Sequence, residues 1–234
     1  MNLDLHSDLS IHRTTLGRER APLLVIDHFI ADAEQLVEHA AAQTFTERSR
    51  YYPGIRANAP LDYETLVLTK LESALRECLD APGGGSLRFA MCQYSLVTTP
   101  ANRLAPPQRI PHVDSLSKHG LATIHYLFKA NLGGTAFYRH RSTGFEYVDE
   151  ARNATYVTAL QNDFGQPVAI APGYINGDTR QFEQINAQSA VFNRMLVYRR
   201  NSLHSGCIDP AFIPDPNPAT GRLSINSFID FVPQ

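Results

Sequence analysis

The chain has no tryptophan and only three cysteines in 234 residues. Cys78, Cys92 and Cys207 are odd in number and widely spaced, and they form neither a C-x-x-C motif nor a disulfide framework. A reducing, cytoplasmic setting is expected for such a chain. Charge of one sign is also lacking: 21 basic residues against 23 acidic ones give a formal net charge of −2. Bulk attraction to nucleic acid or to an anionic membrane is therefore not expected. No apolar run approaches the length of a membrane span, and the longest, "APLLVI", is a strand's length. The opening "MNLDLHSDLS" has no basic region followed by an apolar one, so no signal peptide is read there. There is no internal repeat and no low-complexity segment.

What is present is ordinary for one globular domain with a sizeable core, 43% hydrophobic and 19% charged. Residues 1–20 are polar and unpatterned and read as a partly ordered arm. "PLLVIDHFI" (22–30) reads as a strand. "ADAEQLVEHAAAQTF" follows with helical spacing and Asp32 as its N-cap. "YYPGIRANAP" reads as a loop. "DYETLVLTKLESALRECLDAP" places Leu66, Leu71, Leu75 and Leu79 near one helical face, and "PGGG" (82–85) ends that helix. The character then changes. "SLRFAMCQYSLVTT", "QRIPHVD", "LATIHYLF" and "GTAFYRH" read as strands, and later so do "NRMLVYRRNSLHSG" and "RLSINSFIDF". Between the groups lies a polar insertion, 141–190, with weak helical patterns in "VDEARNATYVTALQNDF" and "DTRQFEQINAQSA". The expectation is a single α+β domain: an arm (1–20), a strand with supporting helices (21–86), and an antiparallel double-sheet or barrel core (87–140 and 191–234) interrupted by the insertion.

Chemistry enters with "RIPHVDSLSKHG", where His112 and Asp114 stand two apart. Nine His and thirteen Asp give about half an H-x-D match by chance, and "LHSDLS" supplies a second at His6 and Asp8. That pair lies in the polar arm with no strand around it and is set aside. Residues two apart on a strand face the same way, so His112 and Asp114 would point into the barrel together. They make two-thirds of the 2-His-1-carboxylate set that suits non-haem Fe(II). His204, at the end of a later apolar strand, is the best third ligand, although a hydrogen-bonded core histidine is the plainer reading of it alone. His28 and His39 fall in the helical lead-in, His119 in a turn and His140 in a basic loop, while His125 alternates with Tyr126. Arg222 and Ser224 are again two apart on a strand. A guanidinium inside a barrel needs an anionic partner, and no acidic residue lies close by in sequence. A small dicarboxylate would serve, gripped by bidentate hydrogen bonds. Cys207 reads as a small core residue. Arg139, His140 and Arg141 either attract an anionic substrate or form a solvated loop.

In order, these features resemble the Fe(II)- and 2-oxoglutarate-dependent oxygenases, and within them the prolyl-4-hydroxylase-like branch. The resemblance rests on "MCQYSL", "PHVD", "HYLF", "GGTAFY", "LHSG" and "GRLSINSF", over roughly residues 87–137 and 191–231, and more weakly on 22–45. It implies a double-stranded β-helix (jelly-roll) core with His112, Asp114 and His204 as iron ligands. It further implies that Arg222 takes the distal carboxylate of 2-oxoglutarate with help from Tyr126, that Tyr94 lies near the cosubstrate, and that Ser224 assists. The implied cofactors are Fe(II), 2-oxoglutarate and O2. The implied reaction is hydroxylation of a peptidyl or small-molecule substrate with release of succinate and CO2. Asp114 and His204 lie about 90 residues apart, more than a minimal member needs, and the excess falls in 141–190, expected as a cover over the site mouth. Rival readings are a non-catalytic jelly roll that binds a metal or ligand, an interaction protein acting through the insertion, and a hydrolytic zinc enzyme.

Overall fold

The computed structural model describes residues 1–47, 49, 51–79, 84–165 and 170–233. Its described residues form an α+β fold of two antiparallel sheets and four helices. The large sheet is built from β1 (Ser10–Leu16), β2 (Ala21–Asp27), β3 (Gly54–Asn58), β4 (Ser86–Val97), β5 (Gly120–Tyr126), β8 (Met195–Arg199) and β10 (Leu223–Val232), in the order β1-β2-β8-β5-β10-β4-β3. The small sheet is β7 (Phe182–Ser189), β6 (Gly134–His140) and β9 (His204–Cys207), in the order β7-β6-β9. Among the described residues, no helix is long and apolar enough to cross a membrane.

Both faces of the large sheet are covered, which is why β2 and β8 read as continuous apolar runs. On one face, Leu24, Ile26, Met195, Val197, Leu223 and Ile225 pack against α1 (Glu34–Ala41), α2 (Leu61–Lys70) and α3 (Glu72–Leu79) through Leu36, Tyr63, Val67 and Leu75. On the other, Leu23, Val25, Leu196 and Tyr198 meet Phe137 of the small sheet, whose ring stands edge-on to Tyr198 at 5.1 Å. The fourth helix, α4 (Glu150–Phe164), buries Tyr156 among Ala136, Tyr138 and Phe182 of the small sheet.

Several expectations need correction. Residues 10–16 are not an arm but strand β1, paired along its length with β2; as an edge strand with one wet face it carries the polar residues that hid it. "YYPGIRANAP" contains β3, the opposite edge, paired with β4. The helix expected over 62–82 breaks at Leu71, because Leu66 and Leu71 are five apart; the break lets both, and Leu75, be buried. Of the "PGGG" expected to end it, Pro82 and Gly83 lie outside the described residues. Asp32 is not an N-cap: Ala33 holds that position, and the Asp32 carboxylate accepts from Gln35 instead. "DTRQFEQINAQSA" carries strand β7, not a helix, because pairing with β6 overrides its weak helical pattern. Residues 182–189 therefore belong to the core, and the insertion is shorter than 141–190. "QRIPHVD" is not a strand either. Pro106, Pro107 and Pro111 remove three amide donors, leaving a 3-10 turn at Pro106–Arg109 and one isolated bridge, His112 to His204.

Two tight places depend on glycine. A Cβ at Gly133 or Gly134 would strike the carbonyl of Cys207 or of Gln188, so the paired glycines let β6 enter between β9 and β7. At the β1–β2 turn, Gly17 adopts φ +53° against the carboxylate of Glu146. The amides of Arg18 and Glu19 both donate to that carboxylate at 2.9 Å, and Arg139 pairs with it. Burial alone would raise the Glu146 carboxyl, but the two amides and the guanidinium outweigh it and hold it below its usual value.

Candidate metal centre

Between the sheets lies a cavity of about 560 Å³, within the range of small-molecule sites. Alternation aims Ser224, Asn226 and Phe228 of β10 and Arg56 of β3 into it. His204 enters from β9, and Tyr156 and Leu160 of α4 contribute to one wall.

His112, Asp114 and His204 converge here, with one ligand atom from each lying within 4.8 Å of the others. Backbone pairing arranges this. His112 and His204 exchange amide-to-carbonyl bonds of 2.9 and 3.0 Å, and the Asp114 amide donates to the Arg200 carbonyl at 2.8 Å. The carboxylate then sits 3.4 Å from Nε2 of His204 and 3.8 Å from Nε2 of His112. Nδ1 of His204 lies 2.9 Å from the Ser202 carbonyl, to which it donates. That bond selects the tautomer whose Nε2 lone pair faces the cluster. His112 lines the cavity with about half of its side chain accessible, 51%. Desolvation lowers its imidazole to about 4, and His204 pushes the same way while Asp114 opposes. A neutral imidazole with an available lone pair is the form a metal ion needs. His6 and Asp8 belong to no such cluster among the described residues; the His6 ring accepts from the Asp8 amide.

Arg222 also lines the cavity, just before β10. Nε donates to the Leu132 carbonyl at 3.0 Å and an Nη to the Gly134 carbonyl at 2.9 Å, which fixes the guanidinium plane. No carboxylate pairs with it among the described residues. Ser224 faces the same space and donates to Asn226 at 2.7 Å. Tyr126 stands one layer back, its hydroxyl 2.7 Å from Thr135 Oγ1, and it is Thr135 that lines the cavity.

Tyr94 is a correction. Even-numbered residues at this end of β4 face the helices, so its hydroxyl lies 3.2 Å from His39 Nδ1 on the far side of the sheet. Arg139, His140 and Arg141 do not form a free basic loop. Arg139 pairs with Glu146 and Glu183, His140 with Asp163, and Arg141 with Asp178. Cys207 is only partly buried and its thiol donates to Asn176 at 3.0 Å. Sequence reasoning missed Arg56 and Tyr52, which line the cavity from the stretch read as a loop. A five-residue edge strand leaves too short a pattern to reveal them.

The described residues thus define a double-sheet α+β protein with a His-Asp-His cluster in the cavity between its sheets. The chain belongs to DUF6445, a family of unknown function, whose model matches residues 7–229. No curated protein matches it. Among solved structures it is similar to SnoN, a non-heme alpha ketoglutarate dependent epimerase from nogalamycin biosynthesis, at 12% identity and TM-score 0.44, over 85% of this chain and 69% of that one. It is also similar to AviO1 from Streptomyces viridochromogenes Tue57, at 11% identity and TM-score 0.43, over 95% and 89%. Both likenesses are loose.

Proposed function

We propose that the protein is an Fe(II)- and 2-oxoglutarate-dependent oxygenase on a double-stranded β-helix, acting on a small molecule or a peptidyl side chain. The observation that carries this reading is that His112, Asp114 and His204 share one cavity with Arg222, a guanidinium to which the described residues offer no carboxylate. The donor set fits the ion: two imidazoles and a carboxylate suit non-haem Fe(II) and leave coordination positions open. The tautomer set at His204 by Ser202 favours the same use. When bound, iron with 2-oxoglutarate and O2 supplies oxidation of a C–H bond with release of succinate and CO2. The chain's own residues do the rest. His112, Asp114 and His204 hold the ion, Arg222 receives the far carboxylate of the cosubstrate, and Thr135, backed by Tyr126, offers a hydroxyl to the same space. Tyr156 and Leu160 of α4 narrow the cavity where substrate would lie.

Anaerobic titration with Fe(II), then calorimetry with N-oxalylglycine, tests the proposal. One ion per chain and metal-dependent N-oxalylglycine binding are expected. Metal binding without N-oxalylglycine affinity would favour a jelly roll that only binds metal, and decarboxylase assays with 2-oxoglutarate would then show no succinate.

A further inference from the structure

Arg56 is the second cation in the cavity wall. It lies opposite Ser95 in the β3–β4 register, and its side chain crosses the cavity end over the Tyr52 ring, 4.2 Å from the centroid. Its polar contact is weak, Nη1 to the thioether of Met91 at 3.5 Å. Nε is buried with no hydrogen-bond partner, and the buried Tyr52 hydroxyl beside it has only the Ser95 hydroxyl to interact with. A guanidinium offers five donors in a planar fork. Here it has a sulfur and an aromatic face but no oxygen acceptor among the described residues. Orphaned buried donors are rare in native structures and call for an explanation, and a missing ligand is one.

Charge points the same way. The described cavity wall carries two guanidiniums, Arg56 and Arg222, against one carboxylate, Asp114. Asp114 acts on the Arg56 charge, and both arginines act on Tyr52, so these groups share one electrostatic neighbourhood. A divalent ion on the triad deepens the positive excess, and 2-oxoglutarate, a dianion, leaves one positive charge unanswered. Arg222 is already oriented by two carbonyls; Arg56 is the one without an oxygen partner. The cavity lining also offers apolar surface, from Ile110, Val113, Tyr156, Leu160 and Ile208.

We propose that Arg56, held over the Tyr52 ring, forms the anion subsite for the primary substrate, a small molecule carrying one carboxylate on an apolar body. This rests on the oxygenase reading, because it gives Arg222 to the cosubstrate and Arg56 to the substrate. It also replaces Arg139 and Arg141, whose charges are answered within the protein, as the source of selectivity for an anion.

The test uses the full chain loaded with Zn(II) and N-oxalylglycine, titrated calorimetrically with phenylacetate and, separately, phenylacetamide. Phenylacetate should bind about tenfold more tightly than the neutral amide, as loss of a charged hydrogen bond predicts. Arg56→Gln should erase that preference, and Arg56→Lys should restore part of it. Both variants should keep N-oxalylglycine, whereas Arg222→Gln should lose it. Equal or absent binding of the two probes to the wild type overturns the proposal. So does loss of N-oxalylglycine in Arg56→Gln, which would make Arg56 the cosubstrate anchor. If wild-type protein binds no N-oxalylglycine, the oxygenase reading fails instead, and the same titration of the unloaded protein still decides whether Arg56 selects carboxylates. Thermal melting identifies a variant that fails to fold, in which case the Arg56→Lys result stands as the deciding one.

Discussion

Nδ1 of His204 lies 2.9 Å from the carbonyl oxygen of Ser202, two residues earlier in the chain. A ring held by its own backbone in this way cannot turn its other nitrogen away from Asp114 without breaking a buried hydrogen bond. The metal reading therefore makes a sharp demand. His204→Ala and His112→Ala should each abolish Fe(II) binding, measured by anaerobic titration, while His6→Ala should leave it intact. Metal loss in His6→Ala with retention in His112→Ala would mean that the other H-x-D pair is the site.

Arg222 should behave differently from the triad. Arg222→Ala should keep the ion and weaken 2-oxoglutarate by tenfold or more, since a hydrogen bond to a charged group contributes about 1.5–3 kcal/mol. Calorimetry on the Zn(II)-loaded protein reads this directly. An unchanged affinity would put the cosubstrate anchor elsewhere, but not at Arg194, which is already paired with Asp27.

The β1–β2 turn has no part in the chemistry yet should matter for stability. Gly17→Ala places a methyl group against the Glu146 carboxylate at a positive φ. A loss of about 1–3 kcal/mol is expected in denaturant unfolding. A neutral result would show that the clasp on Arg18 and Glu19 can loosen without cost.

Acid should destabilise the metal-free protein through His125. This ring is fully buried, packed on Tyr63 and Phe29 and hydrogen-bonded to Asn193; desolvation lowers it to about 4, against a smaller opposing effect of Asn193. The unfolded chain takes up this proton near the ordinary value of 6.5, and the folded one only near 4. Between those values the unfolded state binds more protons, so stability falls as pH drops through the window. At ~1.4 kcal/mol per unit, the loss from this group is on the order of 3 kcal/mol. His125→Gln should flatten the stability profile from pH 6.5 to 4; an unchanged slope would assign the effect to other groups.

The strands that can be read from the sequence are those buried on both faces or strongly alternating, such as β2, β5, β8 and β10. The three that escape, β1, β3 and β7, are all sheet edges. An edge strand keeps one side in water and takes its conformation from a single neighbour, so its own composition need not announce it. The same limit applies at the site. His112, Asp114 and His204 stand out by residue type and order. The facing of Tyr94 rests on a one-residue choice of register, and both faces of β4 there are buried, so hydrophobicity offers no guide. Arg56 was hidden because a cavity lining is a property of neighbours, not of the pentapeptide that carries it.

The small sheet stops short on the side of β9. Beyond it no further strand forms among the described residues; the His112 bridge pairs there with His204, and Asp114 is tied close by at Arg200. The backbone bonds that place His112 and His204 in the site therefore also pin this margin of the sheet. Metal occupancy would then be readable far from any catalytic assay, as slowed deuterium uptake at the His112, Asp114 and His204 amides, and the empty protein would show this margin as its most readily opened part.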